Sequence, residues 1–131
     1  MEVPNRSEVE HQFTWNVDNI FSSKEERQAE YGAVLVDLKD VRALSEKMVT
    51  SPSGLVDVLD GIMTIKQRTT KVFLYAYLIW SVDTTNQSAG ERVGQVQGLK
   101  GRLESAISFL EPGPLAHGYD RLLECIGDNY E

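Results

Sequence analysis

The chain has 131 residues, 41% of them hydrophobic and 25% charged, a balance that suits one folded domain able to bury roughly two thirds of its unfolded surface. A formal charge of −7 argues against a phosphate backbone as partner, and no apolar run reaches the roughly 18 residues needed to cross a bilayer. The N-terminus MEVPNRSEVE lacks the basic-then-apolar pattern of a signal peptide, and the single cysteine, Cys125, has no internal disulfide partner, so the expectation is a cytoplasmic protein that binds neither nucleic acid nor membrane.

Residues 1–12 are polar and read as extended or frayed. Phe13 to Phe21 form a knot of aromatics and turn-forming Asp and Asn, in which Trp15, Ile20 and Phe21 are expected to pack ahead of the first helix as a hydrophobic staple. Ser22 and Ser23 precede Glu25 and Glu26 at the spacing of a capping box, which predicts a helix start there. Apolar residues at Tyr31, Val34, Leu35, Leu38, Val41, Leu44 and Met48 keep helical spacing to about Thr50, and Thr50-Ser51-Pro52-Ser53-Gly54 breaks it.

A second helix is predicted from about Ser53 to Asp83, with Leu55, Val58, Ile62, Ile65, Thr69, Val72, Ala76 and Ile79 on one stripe. Its last third, VFLYAYLIWSV over 72–82, is apolar nearly all round, which predicts the centre of the core; the same composition also permits a strand. Asp83-Thr84-Thr85-Asn86 is a stop and start signal, read as helix capping by Asp or Thr side chains with a polar channel contact as the other reading. A third helix carries Val93, Val96, Leu99, Leu103, Ala106, Ile107 and Leu110, and Glu111-Pro112-Gly113-Pro114 ends it. A short last helix, about Pro114 to Ile126, completes the expected fold: an all-α antiparallel bundle of three long helices and one short one, forming a single domain over 1–131.

Gly90, Gly94, Gly98 and Gly101 fall on the side of the third helix opposite Val96, Leu99 and Leu103. Each interior glycine weakens a helix by roughly 0.5–1 kcal/mol relative to alanine. The ridge is therefore either an interface for another helix or a tolerated solvent-facing surface. Tyr75 and Tyr77 sit about 200° apart on a helix, so one belongs to the core while the other is free to face outward. His11, His117 and Cys125 match no zinc spacing, and Cys125 has no basic neighbour to activate it, so it reads as a small buried apolar residue. Carboxylates such as Glu104 and Glu111 scatter over solvent faces without the pairing that catalysis requires.

Four segments carry a resemblance: Trp15-Asn16-Val17-Asp18-Asn19-Ile20-Phe21 before Ser22, Tyr75-Ala76-Tyr77-Leu78, Asp83-Thr84-Thr85-Asn86, and Ser108-Phe109-Leu110-Glu111-Pro112. In this order and spacing, over about residues 8–112, the chain resembles the N-terminal helical region of oligoendopeptidase F, a zinc peptidase family. Asn16 stands where that family often has Asp, and Leu110 where a second aromatic is common. The resemblance implies a wall of a deep channel that admits unfolded oligopeptides, with metal ligands and catalytic glutamate lying far downstream. No His-Glu-x-x-His occurs in this sequence, so no catalytic or metal residue carries over to it.

The expected function is an N-terminal scaffold and channel-wall domain of such a peptidase, inactive by itself. Zinc belongs to the full-length parent only, the partner is the catalytic remainder of the same polypeptide, and the parent's substrate is an oligopeptide. The end at Gly127-Asp128-Asn129-Tyr130-Glu131 has no terminal cap, which is compatible with a boundary inside a longer protein. Tyr75 and Tyr77 are the candidate channel-facing residues, and Gly90, Gly94, Gly98 and Gly101 the candidate interface. The alternative is a free-standing helical interaction module that pairs with itself or another protein through that ridge.

Overall fold

A computed structural model describes residues 3–47 and 52–110, together with Gly118, Asp120, Leu123, Glu124 and Gly127. The regular structure among the described residues is helical, with no strand, and includes three long α-helices: α1 (Lys24–Lys47), α2 (Pro52–Val82) and α3 (Gln87–Ala106). The 72–82 run is thus helix, not strand. Of the predicted last helix, Asp120, Leu123, Glu124 and Gly127 are described and are helical, while Leu115, Tyr119, Leu122 and Ile126 lie outside the described residues, as do Met48, His117 and Cys125.

The N-terminal segment is not simply extended. Short 3-10 turns at Arg6–Glu8, His11–Phe13 and Val17–Asn19 shape it. The Asn5 amide donates to Glu8 Oε2 at 2.8 Å, and Arg6 Nη2 donates to the Trp15 carbonyl at 2.8 Å, so side-chain hydrogen bonds tie down a stretch with no apolar pattern of its own.

The start of α1 is a capping box shared by two serines. Ser23 Oγ accepts from the Glu26 amide at 3.0 Å, while Glu26 Oε2 accepts from both the amide and hydroxyl of Ser22 at 2.7 Å. Those bonds hold the Glu26 carboxyl below the usual carboxylate range. Phe21, buried just before it, meets the edge of Tyr75 at 5.5 Å between ring centroids and lies under Lys71 Nζ at 4.7 Å. Ile20 and Val17 pack beside it, but Trp15 is 60% exposed and takes no part, which corrects the three-residue staple.

The predicted stripes do face inward. Val58, Ile62, Ile65, Thr69, Val72 and Ala76 of α2 are buried, as are Val34 and Val41 of α1 and Val93, Val96, Leu99 and Leu103 of α3. They form two clusters along the helices, one around Val34, Val58, Ile62 and Leu99, the other around Phe21, Val72, Tyr75 and Val96, with Tyr31 touching both. Thr69 is buried and satisfied within its own helix, its hydroxyl donating to the Ile65 carbonyl at 2.8 Å. The expectation that 72–82 is covered on every side is overturned: Leu74, Tyr77 and Val82 are exposed, because α1 and α3 cover only the inner side of α2.

Between α2 and α3, Asp83 Oδ1 accepts from the amide and hydroxyl of Thr85 at 3.1 and 2.6 Å, forming an Asx turn, and Asn86 supplies the helix cap by accepting from the Ala89 amide at 3.0 Å. The cap is therefore Asn86, with Asp83 shaping the turn before it. At the far end, α3 stops at Ala106, earlier than Pro112 alone would require. Ile107 leaves helical geometry, and a 3-10 turn at Ser108–Leu110 follows, with Ser108 Oγ donating to the Ser105 carbonyl at 2.9 Å. No helix among the described residues is long and apolar enough to cross a membrane.

Candidate functional site

A zinc site needs three or four nitrogen, sulfur or carboxylate donors converging on one point. Among the described residues no three His, Cys, Asp or Glu side chains come together in that way, and the sequence holds only two histidines. The described residues offer no set of ligands that fits a zinc ion, and the features they present are surfaces.

The first surface is the outer face of α2. Leu59, Met63, Leu74 and Tyr77 recur at intervals that place them on one stripe at 100° per residue, and each is exposed. Tyr77, 42% exposed, stacks on Phe73 at 5.7 Å and tilts against Trp80 at 5.9 Å. Lys100 Nζ of α3 sits 4.8 Å over the Phe73 ring. Tyr75, two residues before Tyr77, points inward to Phe21 and is buried. The two tyrosines thus divide as their angular separation requires, and Tyr77 is the one available to a partner. Toward the end of α2, on another side of the helix, Val82 shares a depression of about 190 Å³ with Pro4, Arg6, Val9, Phe13, Thr14 and Trp15.

The second surface is the glycine ridge of α3. A Cβ placed on Gly94, Gly98 or Gly101 would meet nothing within 4 Å, whereas at Gly90 it would touch Trp80 Nε1 at 3.6 Å. The ridge therefore divides. Gly90 packs beside α2, and the other three open to solvent. Gly98 and Gly101 line a depression of about 520 Å³ with Leu38 and Lys39 of α1.

Polar side chains fasten α1 to α2 elsewhere. Arg68 of α2 reaches Glu30 through Nε at 2.6 Å and Nη2 at 3.2 Å, and its Nη1 also donates to Asp37. The hydrogen bonds from Arg68 hold Glu30 below the usual carboxylate range and raise the guanidinium in turn. Arg27 of α1 differs: it is buried, and Nη1 has no hydrogen-bond partner. Sequence reading passed over both the outer stripe and Arg27, although each left a signal. Leu59, Met63, Leu74 and Tyr77 form a second helical stripe, and Arg27 lies in phase with Tyr31 and Val34, on the inward side of α1.

Against known proteins, the homologues of this chain are oligopeptidases of the oligoendopeptidase F kind, as the four motifs suggested. It is similar to oligopeptidase PepF of Bacillus subtilis, at 27% identity over 133 aligned positions that cover 99% of this chain and 19% of that protein. It is also similar to group B oligopeptidase PepB of Streptococcus agalactiae (23% over 108 residues, 82% of this chain and 18% of that protein) and to oligoendopeptidase F of Lactococcus lactis (23% over 109 residues, 82% and 18%). No family model and no solved structure matches the chain. It spans less than a fifth of the length of these relatives.

Proposed function

We propose that this chain is the N-terminal, non-catalytic domain of an oligoendopeptidase F-like zinc peptidase: a single domain over 1–131, an antiparallel bundle of three long helices and a short fourth. It serves as scaffold and channel wall for the catalytic remainder of the same polypeptide, which cuts short peptides in the cytoplasm with a zinc-activated water. The observation that carries this reading is that nearly the whole chain aligns to about a fifth of an oligopeptidase. The uncovered stripe of Leu59, Met63, Leu74 and Tyr77 supports it, because an apolar helix face in a soluble protein calls for a cover. In this reading Tyr77 stands at the channel side or against the catalytic portion, and Tyr75 holds the wall rigid from within.

The test has two arms. Reading the coding frame past Glu131 should reveal a several-fold longer protein with His-Glu-x-x-His. The isolated chain, supplied with zinc and a quenched oligopeptide, should give no turnover above buffer. A stop codon directly after Glu131, or chelator-sensitive cleavage by the isolated chain, would sink the reading.

One observation favours the alternative of a self-associating or partner-binding module: Gly94, Gly98 and Gly101 leave a smooth, open strip on which a second helix could approach closely. Loss of a sedimentation-detected dimer in Gly94→Ala/Gly98→Ala would support it; an unchanged monomer would remove it.

A further inference from the structure

The chain carries a strongly negative formal charge of −7, yet three cations surround one depression at the beginning of α1. Lys24, Glu25, Arg27, Gln28 and Ala29 of α1 and Arg92 of α3 line it, an open surface concavity of about 540 Å³. Arg27 is only 6% exposed, and its Nη1 has no hydrogen-bond partner. Nη2 donates to Gln28 Oε1 at 2.7 Å, a neutral acceptor, which leaves the Gln28 amide hydrogens as further donors. Arg92 donates to the Ser88 hydroxyl at 2.7 Å, also neutral. Among the described residues neither arginine has a carboxylate within salt-bridge distance, although Glu25 shares the depression and Tyr31 and Tyr75 stand near Arg27.

Burial of a guanidinium is unfavourable unless it is paired, and an orphaned donor adds a desolvation penalty. The like charge of Arg92 makes the position worse, and burial together with that charge shifts the Arg27 guanidinium downward. Arg68 demonstrates the ordinary solution in the same protein: two carboxylates on one arginine. What Arg27 and Arg92 lack is an anion.

We propose that the depression between the first turn of α1 and Arg92 is a carboxylate-binding site, with Arg27 as its buried anchor and Arg92, Lys24 and Gln28 as its outer donors. A planar guanidinium matches a carboxylate, and a turn of the Arg27 side chain would bring the unpaired Nη1, now shut off from solvent, to the mouth of the depression. A singly charged planar group suits contact with the buried Arg27 better than phosphate, whose second charge costs more to desolvate. The carboxylate can come from the C-terminus of a peptide or from an acidic side chain of another polypeptide segment. The inference holds whether or not the chain is a piece of a peptidase.

The experiment is a titration of the 131-residue chain followed through its arginine side-chain NMR signals. Acetyl-Gly-Gly presents a terminal carboxylate, acetyl-Gly-Glu-Gly-amide an internal one, acetyl-Gly-Gly-amide neither, and inorganic phosphate serves as the competing anion. Saturable shifts of the Arg27 and Arg92 signals are expected with at least one of the first two probes. Arg92→Gln should weaken that binding about tenfold, the loss of one hydrogen bond to a charged group. Binding of the terminal probe alone assigns the site to peptide ends, and binding of the internal probe assigns it to acidic side chains. Arg27→Met should abolish binding while leaving the midpoint of thermal unfolding unchanged or higher, since it removes a buried unpaired charge. The proposal is overturned if neither carboxylate probe gives a saturable shift, if the neutral amide binds equally well, or if phosphate binds and the carboxylates do not. Full carboxylate affinity in Arg92→Gln would also overturn it, and that variant alters only a half-buried side chain.

Discussion

The inner face of α2 is almost wholly apolar and covered, whereas its outer face sets exposed apolar residues around Lys66 and Thr70. Val58, Ile62, Ile65, Val72 and Ala76 are sealed between α1 and α3, while Leu59, Met63, Leu74 and Tyr77 on the same helix meet solvent. Hydrophobic periodicity marks which residues can be buried; what buries them depends on how many elements are present. The described helices supply one cover, and the second stripe is a surplus that this packing does not use. The same contrast recurs on α3, with Val93, Val96, Leu99 and Leu103 inside and Gly94, Gly98 and Gly101 outside, where the outer face is bare backbone.

The sharpest way to break the contrast is to cut each face to alanine. Ile62→Ala on the inner face should cost about 2–5 kcal/mol, because Ile62 is essentially inaccessible and its neighbours cannot collapse into the cavity. Urea unfolding monitored by circular dichroism measures it. A loss below about 1 kcal/mol would mean that the inner cluster is loosely packed and that the two faces differ little.

On α3 the expected change has the opposite sign. Gly94→Ala with Gly98→Ala should stabilise the chain by about 1–2 kcal/mol, since each replaces a poor helix former and an added Cβ meets nothing within 4 Å. A rise in the thermal midpoint with no change in association makes the ridge plain surface. A rise accompanied by loss of a dimer makes it an interface.

Acid should weaken the polar link between α1 and α2. Glu30 is held below its ordinary range by Arg68, so between its folded value and the unfolded value of about 4.3 the unfolded chain binds the extra proton. The stability from this pair is therefore present above that unfolded value and lost as pH falls through the folded one. Glu26 and Asp83, lowered by hydrogen bonds from Ser22 and Thr85, act in the same direction. Arg68→Gln should flatten the acid loss, and at neutral pH it should cost no more than about 1 kcal/mol, because solvent screens a pair about a quarter exposed. A pH profile unchanged by Arg68→Gln would show that the link is electrostatically idle.

Much of this was readable in advance, for reasons that particular residues make clear. Helix spacing identified Val34, Val58, Ile62, Val96 and Leu99 because burial on one side of a helix leaves a three-and-four rhythm that no other structure produces. The Ser23–Glu26 box was equally plain, since capping is a local exchange of two hydrogen bonds. Trp15 was misplaced because an aromatic ahead of a helix packs only if the turn before it points inward; here Arg6 holds the Trp15 carbonyl and the ring stays outside. The 72–82 run reads as core on all sides because composition records what a segment can bury and carries no count of its neighbours. Arg27 escapes sequence reading for a related reason: a cation at an inward-facing position looks like an error in the rhythm until its surroundings prove to hold two more cations beside Glu25.

The smallest effect is the one that tells the two faces of α2 apart most cleanly. Met63→Gln, at a position 55% exposed, should change the stability of the isolated chain by no more than about 0.5 kcal/mol, for the side chain contributes little to the packed interior. The same substitution in any longer polypeptide that contains this chain should be far more damaging if the outer stripe is covered there, because a buried amide without partners costs about 1–3 kcal/mol. Neutrality in both settings would mean that the stripe faces water in the whole protein, in a channel or outside it, and would remove the reading that packs it against the catalytic portion. A large loss already in the isolated chain would point instead to a second copy lying on α2, and sedimentation of the wild-type chain would reveal that copy directly.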